Sequence, residues 1–217
     1  MAVIGKHRVR GKGDLISWMD YPSSVRNSQS VAVVTIFTAL AIGSDFALAG
    51  MPNIKLVDSL VFLSAYLFGF RVGASIGVLS ELIWAYASPW GAPGFIAPFL
   101  VVGEVAYAVA GSAAARIWPS GSVPNPGKGM AFGGLLAICA FLWDVETNLA
   151  TALVAYWPTV TVPRVVTTML AGVPFMVTHE IGDFVLGLLF VPLVALAIPR
   201  VMGQRLVMKQ VLAEEGR

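Results

Sequence analysis

Apolar runs of about twenty residues recur along this chain, and they constrain its fold more than any other feature. A backbone in hydrocarbon must satisfy its own hydrogen bonds, so each such run reads as a helix crossing a bilayer. Composition agrees. Hydrophobic residues make up 57% of the 217 and charged residues 12%, with a mean hydropathy of +0.80, whereas a soluble domain carries about 25% charged residues. Too little polar surface remains to cover a water-soluble globule. The expectation is an all-α membrane protein, a bundle of six transmembrane helices.

The spans are expected near 30–50, 56–70, 72–88, 95–118, 130–157 and 174–198. Met51-Pro52-Asn53 ends the first, and Arg71 separates the second from the third. Breaker-rich connections at 89–94 and 119–128 separate later spans. Residues 158–172 are mixed in polarity and read as a loop with some interfacial structure, and Pro174 suits the first turn of the sixth helix. The organisation is then a 1–29 tail, a 30–199 membrane domain and a 200–217 tail. The first thirty residues are polar and basic, without the apolar core of a secretory signal. The lone Cys139 rules out an intrachain disulfide.

Basic residues fix the expected orientation. Lys6, Arg8, Arg10, Lys12 and Arg26 lie in the first tail, and Arg200, Arg205, Lys209 and Arg217 in the last. Arg71, Arg116 and Lys128 fall in loops on the same side. The opposite side receives only Lys55 and Arg164, twelve against two of the 14. Both termini are therefore expected in the cytoplasm. The positive excess is a topology signal and requires no nucleic-acid partner.

The acids behave oppositely. Asp14, Asp20, Glu214 and Glu215 are in the tails, but Asp45, Asp58, Glu81, Glu104, Asp144, Glu146, Glu180 and Asp183 lie within or at the ends of spans. An ionisable group at mid-bilayer costs roughly 2.5 to 3.5 kcal/mol on insertion scales, so such groups face a cavity or a partner. None falls deep on the cytoplasmic side, which implies a polar pocket open outward and closed below by apolar packing. Some of these acids could pair with Lys55 or Arg164.

Two clusters stand out. Asp144, Thr147 and Asn148 share a helix face by i, i+3, i+4 spacing, while Glu146 points elsewhere. His179 and Asp183 stack one turn apart, with Gly182 leaving room for a neighbour. Asn148 and His179 supply both donors and acceptors to a polar ligand. In the first span Thr35, Ala39, Gly43 and Ala47 form a stripe of small side chains, suited to close helix packing with a partner or with the chain's own helices. Trp84, Tyr86, Trp90, Tyr156 and Trp157 gather at the outer boundary as an interfacial belt; Trp90 could also serve in a lid.

From about Thr38 to Pro199 the chain resembles the substrate-binding S components of energy-coupling factor (ECF) vitamin transporters. The resemblance rests on Ala39-Leu40-Ala41-Ile42-Gly43, on Met51-Pro52-Asn53-Ile54-Lys55 leading into Leu60 to Gly69, on Asp144 to Asn148 (similar to the family's Asp-x-x-Thr-Asn), and on Gly172-Val173-Pro174-Phe175 followed by His179 and Gly182. The family pattern often has Asn where this chain has Asp183. The resemblance implies a six-helix capture subunit in a prokaryotic cell membrane, importing a vitamin or related micronutrient bound in the outer half. It implies no catalytic residues, and neither cofactor nor metal is expected.

Candidate substrate contacts are Asn53, Glu81, Trp84, Trp90, Glu104, Asp144, Asn148, His179 and Asp183. Ala39, Gly43 and Ala47 would dock a membrane coupling protein driven by two ATPases. The chain has no Gly-x-x-x-x-Gly-Lys-Ser/Thr loop to bind ATP itself. The metal-capturing branch of the family carries a His-bearing N-terminus, whereas this chain begins Met1-Ala2-Val3. The acids and the lack of a buried basic group favour a neutral or cationic ligand.

Two other classes remain open. One is a stand-alone proton-coupled carrier titrating Glu104 or Asp144. The other is an intramembrane metalloenzyme using His179, Glu180 and Asp183, similar to His-Glu-x-x-His but lacking the second His.

Overall fold

A computed structural model of the chain describes residues 27–51, 53–89, 94–118 and 126–198. The described residues form helices joined by short connections: α1 (Asn27–Leu48), α2 (Val57–Phe68), α3 (Phe70–Ala87), α4 (Ala97–Ile117), α5 (Pro126–Ala155) and α6 (Val162–Val185). A one-turn 3₁₀ segment, Gly94–Ile96, leads into α4. After α6 a π turn, Leu186–Phe190, keeps the helical run going to Ile198.

The shortest helix is the centre of the molecule. All of α2 is buried except Leu67, which is half-buried, and it packs against α1, α3, α4 and α5. Its outer neighbours show the reverse pattern, with Leu40, Val102, Leu142, Leu170 and Leu193 exposed on them. An apolar rim around a core that holds polar groups suits a lipid solvent. Four helical runs are long and apolar enough to cross a membrane: Ser28–Leu48, Gly94–Ile117, Pro126–Ala155 and Val162–Ile198.

Small residues set the packing. A Cβ on Gly73 would lie 2.5 Å from that of Ala65, and one on Gly77 would meet Val61 at 3.4 Å. These pairings make α2 and α3 an antiparallel hairpin. Its turn is a single residue, Gly69, at φ 96°, where a side chain would be strained. Gly111 sits against the Phe62 carbonyl and so brings α4 close to α2. Gly129, Gly133 and Gly187 form the seam between α5 and the α6 run, the close-approach packing that dispersion favours in lipid.

The structure corrects three boundaries. The break after α2 is made by Gly69, and Arg71 lies in the first turn of α3. Helix α5 begins at Pro126, inside the stretch expected as a connection. Most of 158–172 is helical, because α6 starts at Val162 with Pro163 in its first turn, and Pro174 lies inside the helix. The threonines of this segment satisfy their hydroxyls within the helix: Thr167 Oγ1 donates to the Pro163 carbonyl at 2.9 Å and Thr168 Oγ1 to that of Arg164 at 3.0 Å. Composition hid this helix because threonine reads as a loop former until its hydroxyl bonds back into the helix.

One end of the bundle is closed by aromatic rings. Phe132 meets Phe62, Tyr66 and Trp118 edge-on, at centroid distances of 5.6, 5.3 and 5.9 Å. Tyr66 also donates to the Trp118 carbonyl at 2.6 Å. Phe37 and Phe68 form a further edge-on pair at 6.0 Å.

Candidate ligand site

At the opposite end, polar side chains from every helix converge. His179 on α6 is the hub and is fully buried. Its Nδ1 lies 3.0 Å from Asp144 Oδ2 on α5, and its Nε2 lies 3.0 Å from Asp58 Oδ2 on α2. An imidazole between two carboxylates uses both ring nitrogens as donors in its charged form. One turn along α6, Asp183 Oδ2 accepts a 2.8 Å hydrogen bond from the Tyr107 hydroxyl of α4. Buried Asp45, Glu81 and Glu104 bring in α1, α3 and α4.

Trp143 fixes the imidazole from the side, edge-on at 5.5 Å. Its indole donates to the Leu100 carbonyl at 3.3 Å and fills the space left by Gly103. Over the same indole, Lys55 Nζ stands 3.6 Å from the ring centroid, a cation–π contact. Lys55 comes from the α1–α2 connection. Burial opposes its charge, but Asp58, Glu81, Glu104 and Asp45 outweigh that effect and hold its pKa above the usual lysine value.

A cavity of about 360 Å³ adjoins the cluster. Asp45, Leu48, Ala49, Met51, Asn53, Ile54, Lys55, Trp84 and Phe175 line it. Asp45 and Lys55 belong to both cavity and cluster, so the lysine forms the floor between them. Asn53, at φ 52°, tethers this wall to α6 by donating from Nδ2 to the Phe175 carbonyl at 3.3 Å. Trp84 is held by an edge contact with Phe46 at 5.5 Å.

The expected site residues divide accordingly. Glu81, Glu104, Asp144, His179 and Asp183 share the buried cluster, and Asn53 and Trp84 line the cavity. Asn148 lies one turn along α5, where its Nδ2 donates to the Asp144 carbonyl at 2.8 Å and its amide packs on Gly172. Trp90 falls outside the described residues. Glu146 and Glu180 are half-buried, and Glu180 does not share the buried face of His179 and Asp183. Gly182, expected to admit a close neighbour, has only Ile54 nearby, at 3.9 Å.

Four participants were missing from the expected ligand set: Asp45, Lys55, Asp58 and Tyr107. Lys55, half-buried but surrounded by acids, also overturns the expectation that the pocket lacks a basic group. A signal for it was present. It was nearness in sequence: Lys55 stands three residues before Asp58, in the connection that leads directly into α2.

The small-residue stripe faces away from the bundle. Thr35, Ala39, Gly43 and Ala47 are exposed, and a Cβ on Gly43 would meet nothing within 4 Å. Among the described residues, no helix of the chain packs on this stripe.

No family model, curated protein or solved structure matches this chain.

Proposed function

We propose that this chain is the substrate-capture subunit of an ECF-type importer, taking a vitamin-like micronutrient into the cavity above the His179 cluster. The observation that carries this reading is the 360 Å³ cavity at the polar end of the bundle, opposite an end closed by aromatic rings. Six spans with both termini cytoplasmic would turn that cavity outward, as the distribution of basic residues requires. In this reading Trp84 and Phe175 cover the apolar part of the ligand. Asn53 and Asp45 bond its polar part. The exposed stripe Ala39, Gly43 and Ala47 would meet the coupling protein, whose ATPases supply the energy. No catalytic step is assigned to the chain.

Native mass spectrometry of the purified protein tests the capture. One retained small molecule per chain, lost or weakened in Trp84→Ala, is the expected result. An empty protein, or retention unaffected by that substitution, overturns it.

A second reading, a stand-alone proton-coupled carrier, draws on a separate observation. Both Glu104 oxygens and Glu81 Oε2 are buried where no N–H or hydroxyl donor among the described residues reaches them. Carboxyls of this kind can carry protons across a bilayer. Uptake by vesicles containing this chain alone, driven by a proton gradient without ATP, separates the two.

A further inference from the structure

We infer that the floor of this site is a resident binding site for a divalent first-row transition-metal ion such as Zn²⁺, ligated by His179 Nε2, Asp58, Asp183 and Glu104. The inference rests on the geometry of the histidine cluster and is independent of the transport reading.

Three observations converge on it. Ligand atoms of Asp58, His179 and Asp183 lie within 4.8 Å of one another, and all three residues are buried. They come from α2 and from successive turns of α6, so an ion held by them would tie the two helices together. Glu104 supplies the independent sign. It is fully buried against Asp58, carboxyl to carboxyl, and no N–H or hydroxyl donor among the described residues reaches either of its oxygens, so the pair is satisfied only by a shared proton or by a cation. Asp58 Oδ1 and Asp183 Oδ1 likewise meet no N–H or hydroxyl donor among the described residues. Buried carboxylate oxygens without donors are costly, and a cation is the partner that satisfies several at once.

The surroundings are those that a ligating histidine requires. A metal-bound imidazole donates its other ring N–H to a carboxylate, which fixes its tautomer and orientation. Asp144 is in that position, 3.0 Å from Nδ1, while Nε2 faces the other acids. Asp183 is oriented in turn by the Tyr107 hydroxyl at 2.8 Å. The donor set names the ion class. One imidazole among carboxylates suits Zn²⁺, Co²⁺ or Mn²⁺; all-oxygen shells suit Mg²⁺ and Ca²⁺, and thiolates suit Cu⁺.

Charge points the same way. Asp45, Asp58, Glu81, Glu104, Asp144 and Asp183 face one ammonium, Lys55, and one imidazole. Four carboxyls remain without a counter-charge even when both bases are charged. Lys55 sits beside the proposed ion and repels it, so its removal should tighten binding.

The test is made on the full chain, purified in detergent and stripped with chelator. Zn²⁺ alone is titrated calorimetrically, and retained metal is counted by elemental analysis after desalting. Co²⁺ reports the ligand field by its visible absorption. The inference expects one tightly held Zn²⁺ per chain and a Co²⁺ spectrum of nitrogen and oxygen ligands, both lost in His179→Gln. Asp144→Asn should weaken binding about 10- to 100-fold, and Lys55→Met should strengthen it. Glu104→Gln, nearly isosteric and therefore safe for folding, should weaken Zn²⁺ at least tenfold with the melting temperature retained. Failure to retain one equivalent of Zn²⁺, or equal affinity in wild type and Glu104→Gln, overturns the inference. Neither result bears on whether an organic ligand occupies the cavity above.

Discussion

The two ends of this bundle are built on opposite principles. At one end Phe62, Tyr66, Trp118 and Phe132 interlock ring to ring, so buried groups find partners by shape alone. At the other, Asp58, Glu81, Glu104 and Asp183 are buried with oxygens that no N–H or hydroxyl donor reaches among the described residues. The first arrangement stabilises the helix assembly, and the second weakens it. A protein keeps a destabilised region where it has to bind something. On the capture reading, the contrast marks the polar end as the working one.

Substitutions can break this contrast. The largest effect is expected at Gly111, which rests on the Phe62 carbonyl between α4 and α2. Gly111→Leu should abolish assembly, read as loss of a monodisperse peak in size-exclusion chromatography. Phe132→Ala should cost about 3 kcal/mol in reversible unfolding while ligand retention by the folded fraction persists. Glu104→Gln should do the reverse, leaving apo stability within about 0.5 kcal/mol because the amide has nearly the carboxyl's shape and can donate to Asp58 beside it. Stability lost in Glu104→Gln and unchanged in Phe132→Ala would dissolve the distinction between the ends. The smallest effect is expected at Gly43. With nothing within 4 Å, Gly43→Leu should shift stability by less than about 0.5 kcal/mol. On the coupled-importer reading it should nonetheless abolish ATP-driven uptake in vesicles containing the coupling partners.

Apolar runs made the helices legible, and the cost of intramembrane charge made the polar end legible, because both are properties of single segments. Glu81, Glu104, Asp144, His179 and Asp183 could be singled out on that basis. Their grouping could not, since it depends on which face of each helix meets α2. Lys55 escaped for a related reason. A lysine beside a proline-containing connection looks interfacial until the fold swings it over Trp143. Pro174 was misleading because proline is tolerated inside membrane helices as well as at their starts, and only the packing of α6 against α5 distinguishes the two.

The one-residue turn at Gly69 has a consequence for how the chain is made. Helix α2 has 12 residues, a rise of about 18 Å, against a hydrocarbon core of about 30 Å. It also carries Asp58, Ser59 and Ser64, so it is a poor candidate to leave the translocon alone. Joined through Gly69 to the 18 residues of α3, it would be integrated as a hairpin, with α3 giving the pair its hydrophobic length. It would then wait for α4 and α5 to shield it from lipid. The innermost helix is thus made before α4 and α5 yet enclosed only by them, and nascent chains truncated before α5 are where quality control should find it exposed.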